Sequence, residues 1–155
     1  MPKRRPMWRD DDGSPAGTIP RDATDCRRLA RAVAVQALYE ADVTGHAGRP
    51  IAQRLADEAG IGTEHSEFAV WLAETVEANR VALDDRLQEL APAWPIDQLS
   101  PIDRNVLRIA IAELDYGEGK TPEKVVVSEA VELATLFGSE GSQKFINGVL
   151  GTVLG

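Results

Sequence analysis

The chain has 155 residues, of which 43% are apolar and 27% charged, and its formal net charge is −8. That length suits one compact domain or two small subdomains sharing a core. No apolar run reaches bilayer-spanning length, the start MPKRRPMWRDDDG lacks the apolar stretch of a secretory signal, and the single cysteine, Cys26, has no internal disulfide partner, so a reducing cytoplasm is the expected compartment and no membrane role is expected.

Residues 1–31 carry eight basic against five acidic side chains, a net of +3, and the rest carry nine against twenty, a net of −11. A basic end on an acidic body suits two partners of opposite sign, a polyanion and a basic protein. Residues 1–21 are rich in proline, glycine and charge and are expected to form a disordered tail in which only Trp8 is a candidate for local docking. The helical domain is expected over 22–155.

From Thr24 the pattern turns helical. Thr24 or Asp22 caps a helix running to about Val43, and Gly45 and Gly48-Arg49-Pro50 break it. Ile51, Ala52, Leu55, Ala56 and Ala59 mark a short amphipathic helix that Gly60-Ile61-Gly62 stops. Thr63 begins a helix carrying Phe68, Trp71, Leu72 and Val76. Leu83, Leu87 and Leu90 continue it, as one helix or as a second after a bend near Asn79, until Pro92 and Pro95 end the stretch. The aromatic residues Phe68, Trp71, Trp94 and Phe137 read as core.

Ser100-Pro101-Ile102-Asp103 is a strong helix start: a serine cap, proline at the first helical position and an acid three residues after the cap. This helix extends to Tyr116, with Gly117 and Gly119 as exits. Thr121-Pro122-Glu123 repeats the cap-then-proline pattern before a helix through Val125–Val127, Ala130, Leu133 and Phe137, ended by Gly138. The valine triplet has strand character, but its neighbours keep the 3.6-residue period. Ser139 or Ser142 caps a last helix bearing Phe145, Ile146, Val149, Leu150 and Val153. With no sustained two-residue alternation, the predicted class is all-α, six or seven helices with short connections.

Catalytic signatures are missing. The sequence has no phosphate-binding glycine loop, no dinucleotide fingerprint and no C-x-x-C pair. His46 and His65 lack a ligand-spaced partner, and Cys26 reads as a bystander thiol. No enzyme activity, cofactor or metal is expected.

Two segments point to RNA instead. On an ideal helix Arg28, Arg31 and Tyr39 fall within an arc of about 80°, with Arg27 on the adjoining flank and Gln36 on the opposite one. Arginine grips phosphate with paired hydrogen bonds and stacks on bases, and tyrosine adds a stacking face. Single-stranded RNA, with exposed bases and a charged backbone, calls for that mixture. In Lys144-Phe145-Ile146-Asn147 the neighbours Phe145 and Ile146 cannot share a face. If Ile146, Val149, Leu150 and Val153 are buried, Phe145 is freer to bind, Asn147 can read a base edge, and the helix start offers amides to phosphate.

The runs RRLARAVAVQALYEADV, LSPIDRNVLRIAIAEL and VVVSEAVELATLFGSEGSQKFINGVLGTVL resemble the bacterial transcription antitermination factor NusB family. The resemblance covers about Arg27 to Leu154, with Gly45 to Pro95 matched more loosely. It implies an all-α fold of two packed helical subdomains and a non-catalytic RNA-binding factor. That factor would bind the boxA element of ribosomal RNA transcripts together with NusE, a ribosomal protein, and act within the antitermination complex of RNA polymerase. Carried over residue by residue, it implies RNA contacts from Arg27, Arg28, Arg31, Gln36, Tyr39, Lys144, Phe145 and Asn147, and a place for Asp103 on the RNA or partner surface. Leu29 stands where a further arginine is common, so the basic motif is thinner here, and Gly141 stands where an acid is common, which departs from the family at a contact to RNA or partner. Two alternatives are a NusB-like N-terminal piece of a ribosomal RNA cytosine methyltransferase and a NusB-like protein holding only a protein partner.

Overall fold

The computed structural model describes residues 23–154, and all regular structure among them is helical. The expected tail over 1–21, with Trp8, and the alternative cap Asp22 lie outside the described residues. The chain divides into two compact units, the first running through Ala73 and the second from Glu74.

In the first unit α1 (Ala23–Thr44) packs against α2 (Gly48–Ala59), and α3 begins at Thr63 and runs to Ala78. From Leu29 to Leu38 every residue of α1 is buried, so this segment is a central rod rather than a one-sided surface helix. Helix α2 meets it with the stripe Ile51, Ala52, Leu55 and Ala56. Fully burying each large aliphatic side chain contributes about 1.5–3 kcal/mol. The two helices are also clasped by charge, with Arg54 Nη2 2.8 Å from Glu40 Oε2. Gly60 closes α2 at φ 64°, its N–H donating to the carbonyls of Ala56 and Asp57. That left-handed conformation is one glycine adopts without Cβ strain.

The sequence expectation for Gly48-Arg49-Pro50 is corrected, because these residues are the first turn of α2 rather than a break before it. Proline is tolerated there since first-turn amides lack an intrahelical partner in any case.

The second unit holds α4 (Arg80–Leu90), a 3₁₀ turn (Ile96–Gln98), α5 (Pro101–Tyr116), α6 (Glu123–Phe137), α7 (Ser142–Gly151) and a final 3₁₀ turn (Thr152–Leu154). Helix α5 is its axis: Asn105 to Glu113 are all buried, and α4, α6 and α7 pack on it. They contribute Leu83 and Leu87, then Val126, Val127, Ala130, Leu133 and Ala134, then Ile146, Val149 and Leu150. The break between α3 and α4 is the single residue Asn79. Its N–H donates to Thr75 O at 3.1 Å and its side-chain amide to the same oxygen at 2.9 Å.

Ser100 caps α5 as expected, its Oγ accepting from the Asp103 N–H at 3.1 Å with Pro101 at the first helical position. Two other cap expectations are corrected. Pro122 itself stands at the N-cap of α6, so Thr121 does not cap that helix. Gly141, at φ 92°, stands at the N-cap of α7, and neither Ser139 nor Ser142 caps it. Ser142 instead turns its buried hydroxyl back to accept from the Ser139 N–H at 3.0 Å, while its own N–H donates to Ser139 O. The loop ahead of α7 is thus held by a reciprocal pair. The aromatic core expectation also needs correction: Trp94 is 55% exposed, and Phe68, Trp71 and Phe137 are half-buried.

Candidate nucleic-acid interface

The residues singled out in the sequence fall into two clusters, one in each unit. In the first unit, Arg27 lies over the face of Phe68 with its guanidinium carbon 4.2 Å from the ring centroid, and Arg31 approaches the same ring at 5.3 Å. Phe68 stacks on Trp71 at 6.2 Å with 13° between planes. A cation held over a ring face gains about 0.5–1 kcal/mol at an exposed site and about 2 when desolvated. The ring thus holds the Arg27 head near Phe68, and a guanidinium, unlike a lysine ammonium, can also offer paired donors to an anion.

Burial separates the α1 candidates. Arg27, Arg28 and Tyr39 are half-buried, whereas Arg31 is 3% and Gln36 2% exposed. Gln36 donates through Nε2 to Glu40 Oε1 at 3.3 Å, and Glu40 receives Arg54 on its other oxygen. Gln36 therefore belongs to the polar joint between α1 and α2, and in this conformation its amide is not offered to a ligand. The arc around an ideal helix does not set which sectors are covered, and over residues 29–38 every sector of α1 is buried.

In the second unit three of the candidates, Asp103, Lys144 and Phe145, line an open groove of about 450 Å³ together with Trp94, Ser100 and Gly141, among others. Ile146 and Leu150 are fully buried, and Phe145 turns the other way, half-buried, its ring meeting Trp94 edge to face at 5.7 Å and 76°. Lys144 is exposed on the groove wall. Asp103 sits at the start of α5, with Oδ1 shielded from water and accepting no hydrogen bond. Leaving such an acceptor unmet is unfavourable. Asn147 is exposed on α7 but does not line the groove.

Two residues of these clusters were not singled out by the sequence. Phe68 and Trp94 look like core residues because a lone aromatic at helical spacing, or between two prolines, carries no local mark of exposure. Only the contacts of residue 68 with 27 and of 94 with 145 reveal their places. In the first unit a planar cation lies on an aromatic stack, and in the second a groove carries one ammonium and one carboxylate; each is suited to a charged, aromatic ligand. Among the described residues no group of histidine, cysteine, aspartate and glutamate is arranged to hold a metal ion.

The family model described as the NusB family matches residues 28–154. The chain belongs to the NusB family. The transcription antitermination protein NusB of Dehalococcoides mccartyi is 45% identical over 130 residues, covering 84% of this chain and 90% of that protein. The protein of the same description from Bacillus cereus is 38% identical over 128 residues, covering 82% and 95%. Among solved structures, NusB of T. maritima superposes with a TM-score of 0.75 at 31% identity, covering 82% of this chain and 89% of that one. A crystal structure of antitermination factors NusB and NusE in complex with dsRNA contains a chain matching at TM-score 0.73 and 28% identity, with coverage of 83% and 95%. The matched residues take in both clusters apart from Arg27, which lies one residue before the match, and the seven α-helices among the described residues conform to the family's fold.

Proposed function

We propose that this chain is a non-catalytic, cytoplasmic transcription antitermination factor. It binds boxA-type single-stranded RNA of ribosomal RNA transcripts jointly with the NusE ribosomal protein and so supports processive transcription by RNA polymerase. The observation that carries this reading is the groove lined by Lys144, Phe145 and Asp103 in a NusB-family chain. An ammonium, a ring and a carboxylate match a phosphate, a base face and a base-edge donor respectively. Arg27 and Arg28 contact phosphate, Tyr39 and Phe145 stack on bases, and Asn147 reads a base edge. Arg31 and Gln36, being buried, position α1 and its arginine cluster.

The body of the chain is acidic, so RNA is repelled by most of its surface. A basic partner bound to that body supplies the missing positive potential. Titrating labelled boxA-type RNA with the full chain, with and without the NusE-type protein, at two salt concentrations, tests this. Weak binding alone, tighter binding with the partner and a negative salt slope in both cases are expected. A duplex of the same sequence is the second arm. Absence of RNA binding in every condition, with the partner still bound, replaces this reading with that of a protein-only binder.

A further inference from the structure

Trp94 is the largest exposed aromatic surface among the described residues, and it is held in place. The Trp94 N–H donates to Ala91 O at 3.0 Å, and Gln88 Nε2 donates both to Ala91 O at 3.0 Å and to Trp94 O at 3.2 Å. Pro92 and Pro95 flank the residue and restrict the backbone on both sides. More than half of the side chain nevertheless meets water. A rigid, wet indole is an unusual use of the most hydrophobic ring. Its edge-to-face contact with Phe145 forms a corner, and the same groove carries Lys144 and Asp103.

We propose that the Trp94–Phe145 corner is a slot for one unpaired nucleotide of RNA, with the Trp94 indole as the platform on which its base stacks. This rests on the RNA-binding reading and adds a residue and a selectivity to it. The two rings stand at 76° to each other and both line the groove, so a flat base stacked on the Trp94 indole lies beside the Phe145 ring. Lys144 stands on the wall where a backbone phosphate follows the base. The Asp103 carboxylate accepts from base N–H groups and repels phosphate, which orients the nucleotide base-inward. A base inside a duplex is already stacked on both faces and cannot occupy the slot, so the corner selects single strands.

Trp94→Ala and Trp94→Phe variants of the full chain, titrated with a boxA-type single-stranded RNA and with its duplex, test the slot. Trp94→Ala is expected to weaken single-strand binding about 5- to 150-fold, the range for losing one base stack. The salt slope is expected to stay that of the parent, because no phosphate contact is lost, and Trp94→Phe to recover most of the affinity. Replacing the RNA nucleotides one at a time by abasic residues should reveal one position whose base matters to the parent and not to Trp94→Ala. Circular dichroism melts confirm that both variants are folded. If the parent binds RNA and folded Trp94→Ala binds it equally well, the slot is refuted while the RNA-binding reading stands. If the variant loses the basic protein partner but keeps RNA, the corner is a protein contact and the slot is likewise refuted. If the parent binds no RNA at all, both fall.

Discussion

Ser100 and Gly138 show how little freedom a helix junction leaves its residues. Ser100 is the cap of α5, and Ser100→Ala removes the acceptor for the Asp103 N–H, so a loss of about 0.5–2 kcal/mol is expected in denaturant melts. At Gly138 a Cβ would lie 2.5 Å from Ser142 Cβ and 2.6 Å from the Ala134 carbonyl oxygen. Ser142 is itself buried and bonded to the Ser139 amide, so it cannot swing aside without breaking the turn. Gly138→Ala should therefore destabilise the chain by about 1–3 kcal/mol, the usual range for overpacking, and an unchanged midpoint would show that the loop shifts freely. For binding, the informative arginines are those that reach the surface. Changing Arg27 and Arg28 together to alanine should lower RNA affinity and flatten its salt dependence, with a melt within about 1 kcal/mol of the parent. Binding equal to the parent at every salt concentration would remove α1 from the RNA surface.

At the scale of elements, α4 and α5 are joined by a clasp. The Arg108 guanidinium, 7% exposed, donates through Nε and Nη2 to both oxygens of Asp84 at 2.8 Å each. Asp84→Ala takes a bidentate carboxylate from a nearly buried cation that keeps only weaker contacts such as Asn105 Oδ1, and a loss of about 3 kcal/mol is expected. Replacing both partners at once by Leu and Met should recover much of that loss, because the desolvation of two charges is then avoided; thermal melts of the single and double variants decide. The clasp could not be read in the sequence, since residues 84 and 108 are linked by packing alone. The start of α5 could, because serine, proline and aspartate act within four residues of one another. Pro50 and Thr121 misled for the same reason in reverse. Proline marks both the residue before a helix and its first turn, and local chemistry does not choose between them. The helices themselves were legible because their apolar period is repeated over many residues. The groove was half legible: Lys144 and Phe145 stood out beside a buried Ile146, whereas Trp94 needed the fold to bring it there. The buried state of Arg31 and Gln36 was hidden because polarity suggests a surface that neighbouring helices can take away.

For the whole molecule the dominant quantity is charge, +3 over residues 1–31 and −11 over the remainder. Such a body attracts a basic protein from a distance of several ångströms, about a Debye length of 8–10 Å at moderate salt. The association rate with the NusE-type partner should accordingly fall steeply between low and high ionic strength while dissociation changes little. Stopped-flow mixing at several salt concentrations measures this, and a salt-independent rate would mean that shape rather than field guides the encounter.

Indole emission shifts with the polarity around the ring, and the Trp94 indole is wet while Trp71 is half-buried against Phe68. Anything that fills the groove displaces that water. The difference in emission between the parent and Trp94→Phe is thus an optical gauge of occupancy, built into the chain and needing no attached dye.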